Sequence, residues 1–326
     1  MRSGFLKVTG VCAAGASALA YTAYRNDLKA AIEEIETERQ FIESPHGPIE
    51  FAEAGDGPAV LLIHGAGGGF DQGLDLGSTF LGDGYRIIAP SRFGYLGTPL
   101  PADASPQAQA DAHLRLLDAL QLDTVPVIGV SAGGPSAMQL CLRHRERCSA
   151  LVLIVPMAWA PQRETMNARF SPWFLPVLNA VLSSDFLCWM ATKVARPALV
   201  KSILGTPVAV YRSAPSEERR RVDQMLRAIL PVSRRVAGLL NEAKVAAKLT
   251  RYPLENMHVP TLVISAADDL YDTYESGLQT AEQIRDGKFV GFSTGGHLLL
   301  GHEAEVRSEI ATFLHEHIGA RAALAV

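Results

Sequence analysis

Cysteine is scarce, four in 326 residues, and this scarcity leaves the redox compartment open. Cys12 lies in an apolar leading segment, so an odd three remain in the body of the chain. Cys141 and Cys148 stand on one helical stretch, about 10 Å apart along its axis, too far for a disulfide unless the helix ends between them. Both read as buried apolar residues. Cationic charge is not concentrated either: 30 Lys+Arg against 34 Asp+Glu give a net charge of −4, and no basic block stands out beyond the short Arg219, Arg220, Arg221 cluster. That argues against a nucleic-acid partner, because phosphate binding needs a concentrated cationic surface. There is no internal repeat and no low-complexity tract, and the 28 Gly and 19 Pro follow no period, so fibrous folds are excluded. At 48% hydrophobic and 20% charged the composition is globular, with enough apolar mass for a sizeable core.

The mean hydropathy, +0.12, is high for a soluble protein. Part of the excess sits at the start, where Arg2 and Lys7 precede an uncharged stretch from Val8 to Tyr24. Residues 1–24 are expected to be either an uncleaved membrane anchor or a signal segment ending at Ala20. The anchor reading puts the amino terminus inside and the remaining domain extracytoplasmic; the signal reading makes the protein secreted. Residues 25–40 carry Ala and Ile at helical spacing among many charges and read as a solvated stalk helix.

From Phe41 the pattern becomes short apolar runs closed by Gly, Pro or Ser, each followed by a helical stretch. Strands are expected around Ile49 to Ala54, Ala59 to Ile63, Tyr85 to Ala89, Val125 to Gly129, Ala150 to Val155, Thr261 to Ser265 and Lys288 to Phe292, with a helix from Gln107 to Leu120. Continuous runs such as Val60-Leu61-Leu62-Ile63 suit strands covered on both faces, so the fold class is α/β with a mostly parallel sheet flanked by helices. The alternation stops from Pro156 to Val259, an interval of helical character that holds all three Trp, and resumes at Thr261. Residues 41–156 and 260–320 therefore form one core interrupted by a helical insertion at 157–259.

Two loops carry chemistry. Gly129-Val130-Ser131-Ala132-Gly133 follows an apolar strand and opens a helix, the context of a G-x-S-x-G nucleophile elbow. The glycines let the turn close and leave the Ser131 oxygen clear at the end of the sheet, in front of a helix N-terminus. His64-Gly65-Ala66-Gly67-Gly68-Gly69 follows another apolar strand, and a loop so free of side chains brings an N–H close to a substrate oxygen. It lacks the Gly-Lys-Ser/Thr of a phosphate loop. His64, placed before the serine, reads as a brace under the loop. A serine needs a general base, and the base an orienting acid. Asp268 and Asp269 follow the strand beginning at Thr261, with Asp272 close behind, and His297 follows the last strand, ahead of its rival His302. His315 and His317 fall on the terminal amphipathic helix. No metal or organic cofactor is required.

These four motifs together, His64-Gly65-Ala66-Gly67-Gly68, Gly129-Val130-Ser131-Ala132-Gly133, Ala266-Ala267-Asp268-Asp269 and Gly295-Gly296-His297, resemble the α/β-hydrolase superfamily from about Phe41 to Ile318. The resemblance implies a serine hydrolase with Ser131, Asp269 and His297 as catalytic residues, the amides of Ala66 and Ala132 as oxyanion donors, Gly65, Gly67 and Gly133 as supporting loop residues, and 157–259 as a helical cap. It selects Asp269 because the family's acid stands three residues after the small residue closing its strand. Ser91-Arg92-Phe93-Gly94 matches a loop that often begins with Asp in relatives; here Ser91 replaces the acid. Serine in the elbow disfavours epoxide hydrolase and dehalogenase chemistry, which use aspartate there. The expected substrate is a small lipophilic molecule, a carboxylic ester by default, with the cap aromatics supplying an apolar wall. C–C bond, amide and perhydrolysis chemistry remain alternatives, as does a non-catalytic binding protein, whose mark would be a broken triad.

Overall fold

A computed structural model describes residues 2–37, 39–161 and 180–322. Its centre is an eight-stranded sheet in the order β1-β2-β4-β3-β5-β6-β7-β8. The strands are β1 (Gln40–Ile42), β2 (Ile49–Ala54), β3 (Ala59–Ile63), β4 (Arg86–Pro90), β5 (Val125–Val130), β6 (Cys148–Ile154), β7 (Thr261–Ala266) and β8 (Gly287–Phe292). The β1–β2 and β2–β4 pairs are antiparallel and all others parallel. Seven strands fall within about two residues of where the apolar runs place them; β1, three largely exposed residues, leaves no such run.

The doubly apolar strands are covered on both faces. Leu61, Ile63, Val127 and Leu153 meet α3 (Pro106–Ala119) and α4 (Gly134–Arg143), whereas Val60, Leu62, Ile128 and Val152 meet α2 (Phe70–Phe80) and the terminal helix α11 (Glu303–Ala322). Each such fully buried aliphatic side chain contributes roughly 1.5–3 kcal/mol. α3 starts where Ser105 caps it, accepting from the Ala108 N–H at 3.2 Å, with Pro106 in the first turn. α4 ends at Arg143, between Cys141 and Cys148, so the two buried thiols meet, without a disulfide, instead of standing apart along one helix.

Between β6 and β7 the described chain is helical: α5 (Asp185–Val194), α6 (Arg196–Ser202), α7 (Val208–Ser213), α8 (Ser216–Ala228) and α9 (Val236–Lys248). α10 (Thr273–Gln283) then links β7 to β8. Of the aromatics expected in the insertion, Phe170, Trp173 and Phe174 lie outside the described residues. Phe186 and Trp189 face the first helix, not the pocket at Ser131.

The segment expected as a solvated stalk is helical but docks along one face. α1 runs unbroken over Arg2–Thr37, and one face of its second half docks while most of its other residues are exposed: Ile35 is 4% exposed and packs on Phe70 and Ala89, and Tyr24 packs on Phe186 and Trp189. Among the described residues no helix is long and apolar enough to cross a membrane, so the anchor expected at residues 1–24 finds no support in the fold.

Candidate active site

The chain leaves β3 toward β4 on one side and returns past it to β5, so a crevice opens at the carboxyl ends of β3 and β5, where open α/β sheets place their sites. Ser131 stands at the tip of β5 with φ of +50°, a left-handed conformation that costs a non-glycine residue roughly 1–2 kcal/mol. The turn can be this tight because Gly133 has no side chain: a Cβ there would lie 2.4 Å from the Ile63 carbonyl oxygen and 2.7 Å from that of His64. Both contacts are to backbone, which has no room to give.

β7 and β8, beyond β6, end at the same edge of the sheet and deliver the partners. His297 Nε2 lies 2.9 Å from Ser131 Oγ, and its Nδ1 lies 2.8 Å from Asp269 Oδ2. An ionised carboxylate only accepts, so Nδ1 carries the hydrogen and Nε2 is left to accept from the serine hydroxyl. Asp269 is 3% exposed; its Oδ1 accepts from the Tyr271 N–H at 2.8 Å, and its Oδ2 also accepts from the Thr273 hydroxyl. The Tyr271 ring packs edge-on to His297 at 4.8 Å. The rival candidates Asp268 and His302 have other partners. Asp268 turns away and accepts from the Gly296 N–H at 2.7 Å, bracing the turn that presents His297. His302 pairs with Glu305 at 3.1 Å and stacks on Phe292, and His315 and His317 remain on α11.

The glycine loop after β3 is held from beneath. His64 is fully buried; its Nε2 accepts from the Arg92 N–H at 3.0 Å and its Nδ1–H donates to the Gly65 carbonyl at 2.7 Å. Burial, reinforced by the Arg92 charge, pushes its pKa well below the ordinary histidine range, so it is a neutral brace and no rival base. Gly65 N–H donates to Gln72 Oε1 at 3.0 Å, and Gly67 N–H to the Tyr95 hydroxyl at 3.3 Å.

Sequence reasoning missed two residues that matter here. Arg92, 7% exposed, donates through Nη1 to the Ala132 carbonyl and through Nη2 to the Gly65 carbonyl, both at 3.0 Å, so one guanidinium spans the two loops that carry Ala66 and Ala132. It also pairs with Glu242 of α9, which in turn accepts from the Tyr95 hydroxyl at 2.7 Å. Arg92 stands in the loop that Ser91 already marks in the sequence, a legible hint; Glu242, 150 residues away, gave none. A third omission explains Ser91. Glu50 of β2 supplies the carboxylate that this loop lacks: its Oε2 accepts from Ser91 Oγ and from the Gly97 N–H, both at 2.8 Å.

A pocket of about 130 Å³ opens over Ser131, walled by Leu76, Phe80, Val155, Met157, Leu239 and Leu298. Its apolar lining thus comes from the core and, within the insertion, from Ile203, Leu204, Met225 and Leu239 rather than from Phe186 and Trp189. Arg221 also reaches it; its Nε pairs with Glu303 at 3.3 Å, while its Nη2 is shielded from solvent without a hydrogen bond. Among the described residues no group of three or more His, Cys, Asp and Glu is placed to hold a metal ion.

Residues 58–304 match the model of the alpha/beta hydrolase fold family. The chain belongs to the α/β-hydrolase family. It is similar to a 2-hydroxymuconate semialdehyde hydrolase of a Pseudomonas species, 27% identical over 81% of this chain and 89% of that one. A solved α/β-hydrolase fold protein from Nakamurella multipartita superposes with a TM-score of 0.68 at 27% identity, covering 85% of this chain and 98% of that one. An esterase from Exiguobacterium antarcticum shares the fold with a TM-score of 0.61 at 20% identity, over 84% and 98% of the two chains.

Proposed function

We propose that this α/β-hydrolase is a serine esterase acting on a carboxylic ester with an apolar portion. The carrying observation is the continuous chain from Ser131 Oγ through His297 to Asp269, with links of 2.9 and 2.8 Å. Ser131 Oγ attacks the acyl carbonyl as His297 Nε2 takes its proton; the tetrahedral oxyanion collapses, and His297 returns the proton to the departing alcohol. Asp269 holds the imidazole in the tautomer that accepts, and water, deprotonated by the same His297, then releases the acid. The amides of Ala66 and Ala132 take the oxyanion, a term worth about 3 kcal/mol per donor. The apolar pocket wall supports an apolar acyl or alcohol group.

A second reading is C–C bond hydrolysis by the same three residues. It is favoured by the likeness to the semialdehyde hydrolase and to a 2-hydroxy-6-oxo-6-phenylhexa-2,4-dienoate hydrolase, 29% identical over 33% of this chain. Arg221, a cation at the pocket that pairs with Glu303 through Nε and keeps Nη2 without a hydrogen bond, would suit the carboxylate of such a dienoate.

Labelling with a fluorophosphonate probe, with Ser131→Ala as control, tests the nucleophile. Parallel turnover of short nitrophenyl esters and of a 2-hydroxy-6-oxo-dienoate separates the two readings. Wild-type protein that neither labels nor turns over any ester would sink the esterase reading.

A further inference from the structure

α1 lies outside the matched family segment, which begins at residue 58. The Nakamurella protein is covered over 98% of its length while 85% of this chain is used, so this chain carries added structure. α1 is fastened at both ends of its docked half. Asp27 accepts from the Trp189 indole N–H at 2.8 Å and pairs with Lys193 at 2.9 Å, both on α5. Glu36 pairs with Arg234 at 3.1 Å in the turn before α9, and Ile35 is buried against the core residues Phe70 and Ala89. α1 thus straps the insertion to the sheet domain.

Under the strap is a cavity of about 530 Å³. Ala30, Ala31 and Ile35 of α1 form one wall, Ile229 and Leu230 after α8 another, and the Ala66-Gly67-Gly68 loop its floor. It adjoins the site: Ala66, Gln72, Leu204 and Met225 line both this cavity and the pocket over Ser131. The inner pocket, about 130 Å³, is small beside the roughly 300–1,000 Å³ of sites that hold a whole organic ligand. The outer cavity makes up the difference.

Its charges also narrow the occupant. Asp27 is paired with Lys193 and Asp71 with Arg235. Glu34, Asp75 and Arg227 have no hydrogen-bonded or ion-paired side-chain partner among the described residues, an excess of carboxylate over cation that disfavours a second anion. Burial already pushes the Asp75 carboxyl up from its ordinary value.

We propose that α1 is part of the substrate site: it walls an outer chamber that takes the far, uncharged arm of an ester whose scissile carbonyl lies at Ser131. This rests on the esterase reading above and adds to it the substrate class, esters too long for the inner pocket.

The test fills the chamber from the helix side. Ala31→Trp, and Ala30→Trp as a second variant on the same wall where the position is exposed, are compared with the full wild-type chain. Two substrate series are used, nitrophenyl esters from acetate to dodecanoate and acetates of matching alcohols. In at least one series, kcat/KM for the longest ester should fall about tenfold or more while that for the shortest stays within about twofold. The wild type should also cleave an ester whose long arm ends in a carboxylate at least about fivefold more slowly than its uncharged counterpart. A long-to-short ratio unchanged in both series, short and long esters falling together in both variants, or a preference for the anionic arm overturns the proposal while leaving the esterase intact. A wild type without activity on any ester overturns both.

Discussion

Replacing Glu242 separates the positioning of the oxyanion loops from simple stability. Arg92 and Glu242 have side chains only 8% and 6% exposed, so neither charge is served by water. Glu242→Leu leaves the guanidinium buried without a counter-charge, a loss of about 3–5 kcal/mol that lowers the melting temperature by on the order of 10 °C. Glu242→Gln keeps an acceptor for Arg92 and Tyr95 and gives up only the charge assistance, about 1 kcal/mol. The catalytic consequence follows from where Arg92 points. Its Nη2 bonds the Gly65 carbonyl, the other end of the peptide whose N–H is that of Ala66, and its Nη1 bonds the Ala132 carbonyl. Loss of a whole oxyanion donor costs roughly 100- to 1,000-fold in kcat. Loosening one by about 1 kcal/mol costs about fivefold. Steady-state kinetics on a short nitrophenyl ester should therefore show kcat for Glu242→Gln down about fivefold with KM nearly unchanged, and affinity for a boronic acid that mimics the tetrahedral state down in proportion. If Glu242→Gln lowers the melting temperature yet leaves kcat and boronate affinity untouched, the network holds the fold but does not tune the site.

Three further outcomes are expected. His113, fully buried, is pushed down to about 3 by desolvation and the Arg92 charge, and buried His64 is likewise depressed. Below about pH 6.5 the unfolded chain protonates these histidines and the folded one does not, so stability falls on acidification by about 1.4 kcal/mol per pH unit for each. Urea titrations at about pH 6.5 and about pH 5.5 should show this slope, and His113→Gln should remove one histidine's share; a slope unchanged in the variant refutes the assignment. Ser131→Gly and Ser131→Ala should both abolish ester turnover, but Gly, at ease at φ of +50°, should be the more stable of the two by about 1 kcal/mol in denaturant titration; equal stabilities would mean the turn is not strained. Glu50→Ala should cost about 2–4 kcal/mol, because it strips Ser91 Oγ and the Gly97 N–H of their acceptor, and a melting temperature unchanged from wild type would show that the loop after β4 does not depend on it.

What could be read from the sequence divides according to how far apart in the chain the physics acts. The turn at Ser131 was legible because its causes are contiguous: an apolar strand, glycines where a Cβ would strike the neighbouring backbone, and a helix start. His297 was legible for the same reason, standing in a glycine turn after the last strand. Choosing Asp269 over Asp268 depends on which carboxylate the backbone aims at the imidazole, a matter of turn geometry that two adjacent aspartates barely express, and the family spacing carried much of the choice. Ser91 shows the limit from the other side. Its missing carboxylate was noticed, but the replacement came from Glu50, 41 residues earlier on the antiparallel neighbour of β4, where no local pattern marks it. The docked half of α1 misled because its face is built unlike a core face. A helix that buries Leu or Ile at every turn announces itself by period, whereas this one docks through Tyr24, Ala31 and Ile35 while fixing its ends with Asp27 and Glu36. Charged residues that find partners at 2.8 to 3.1 Å across an interface look, in sequence, the same as charged residues in water.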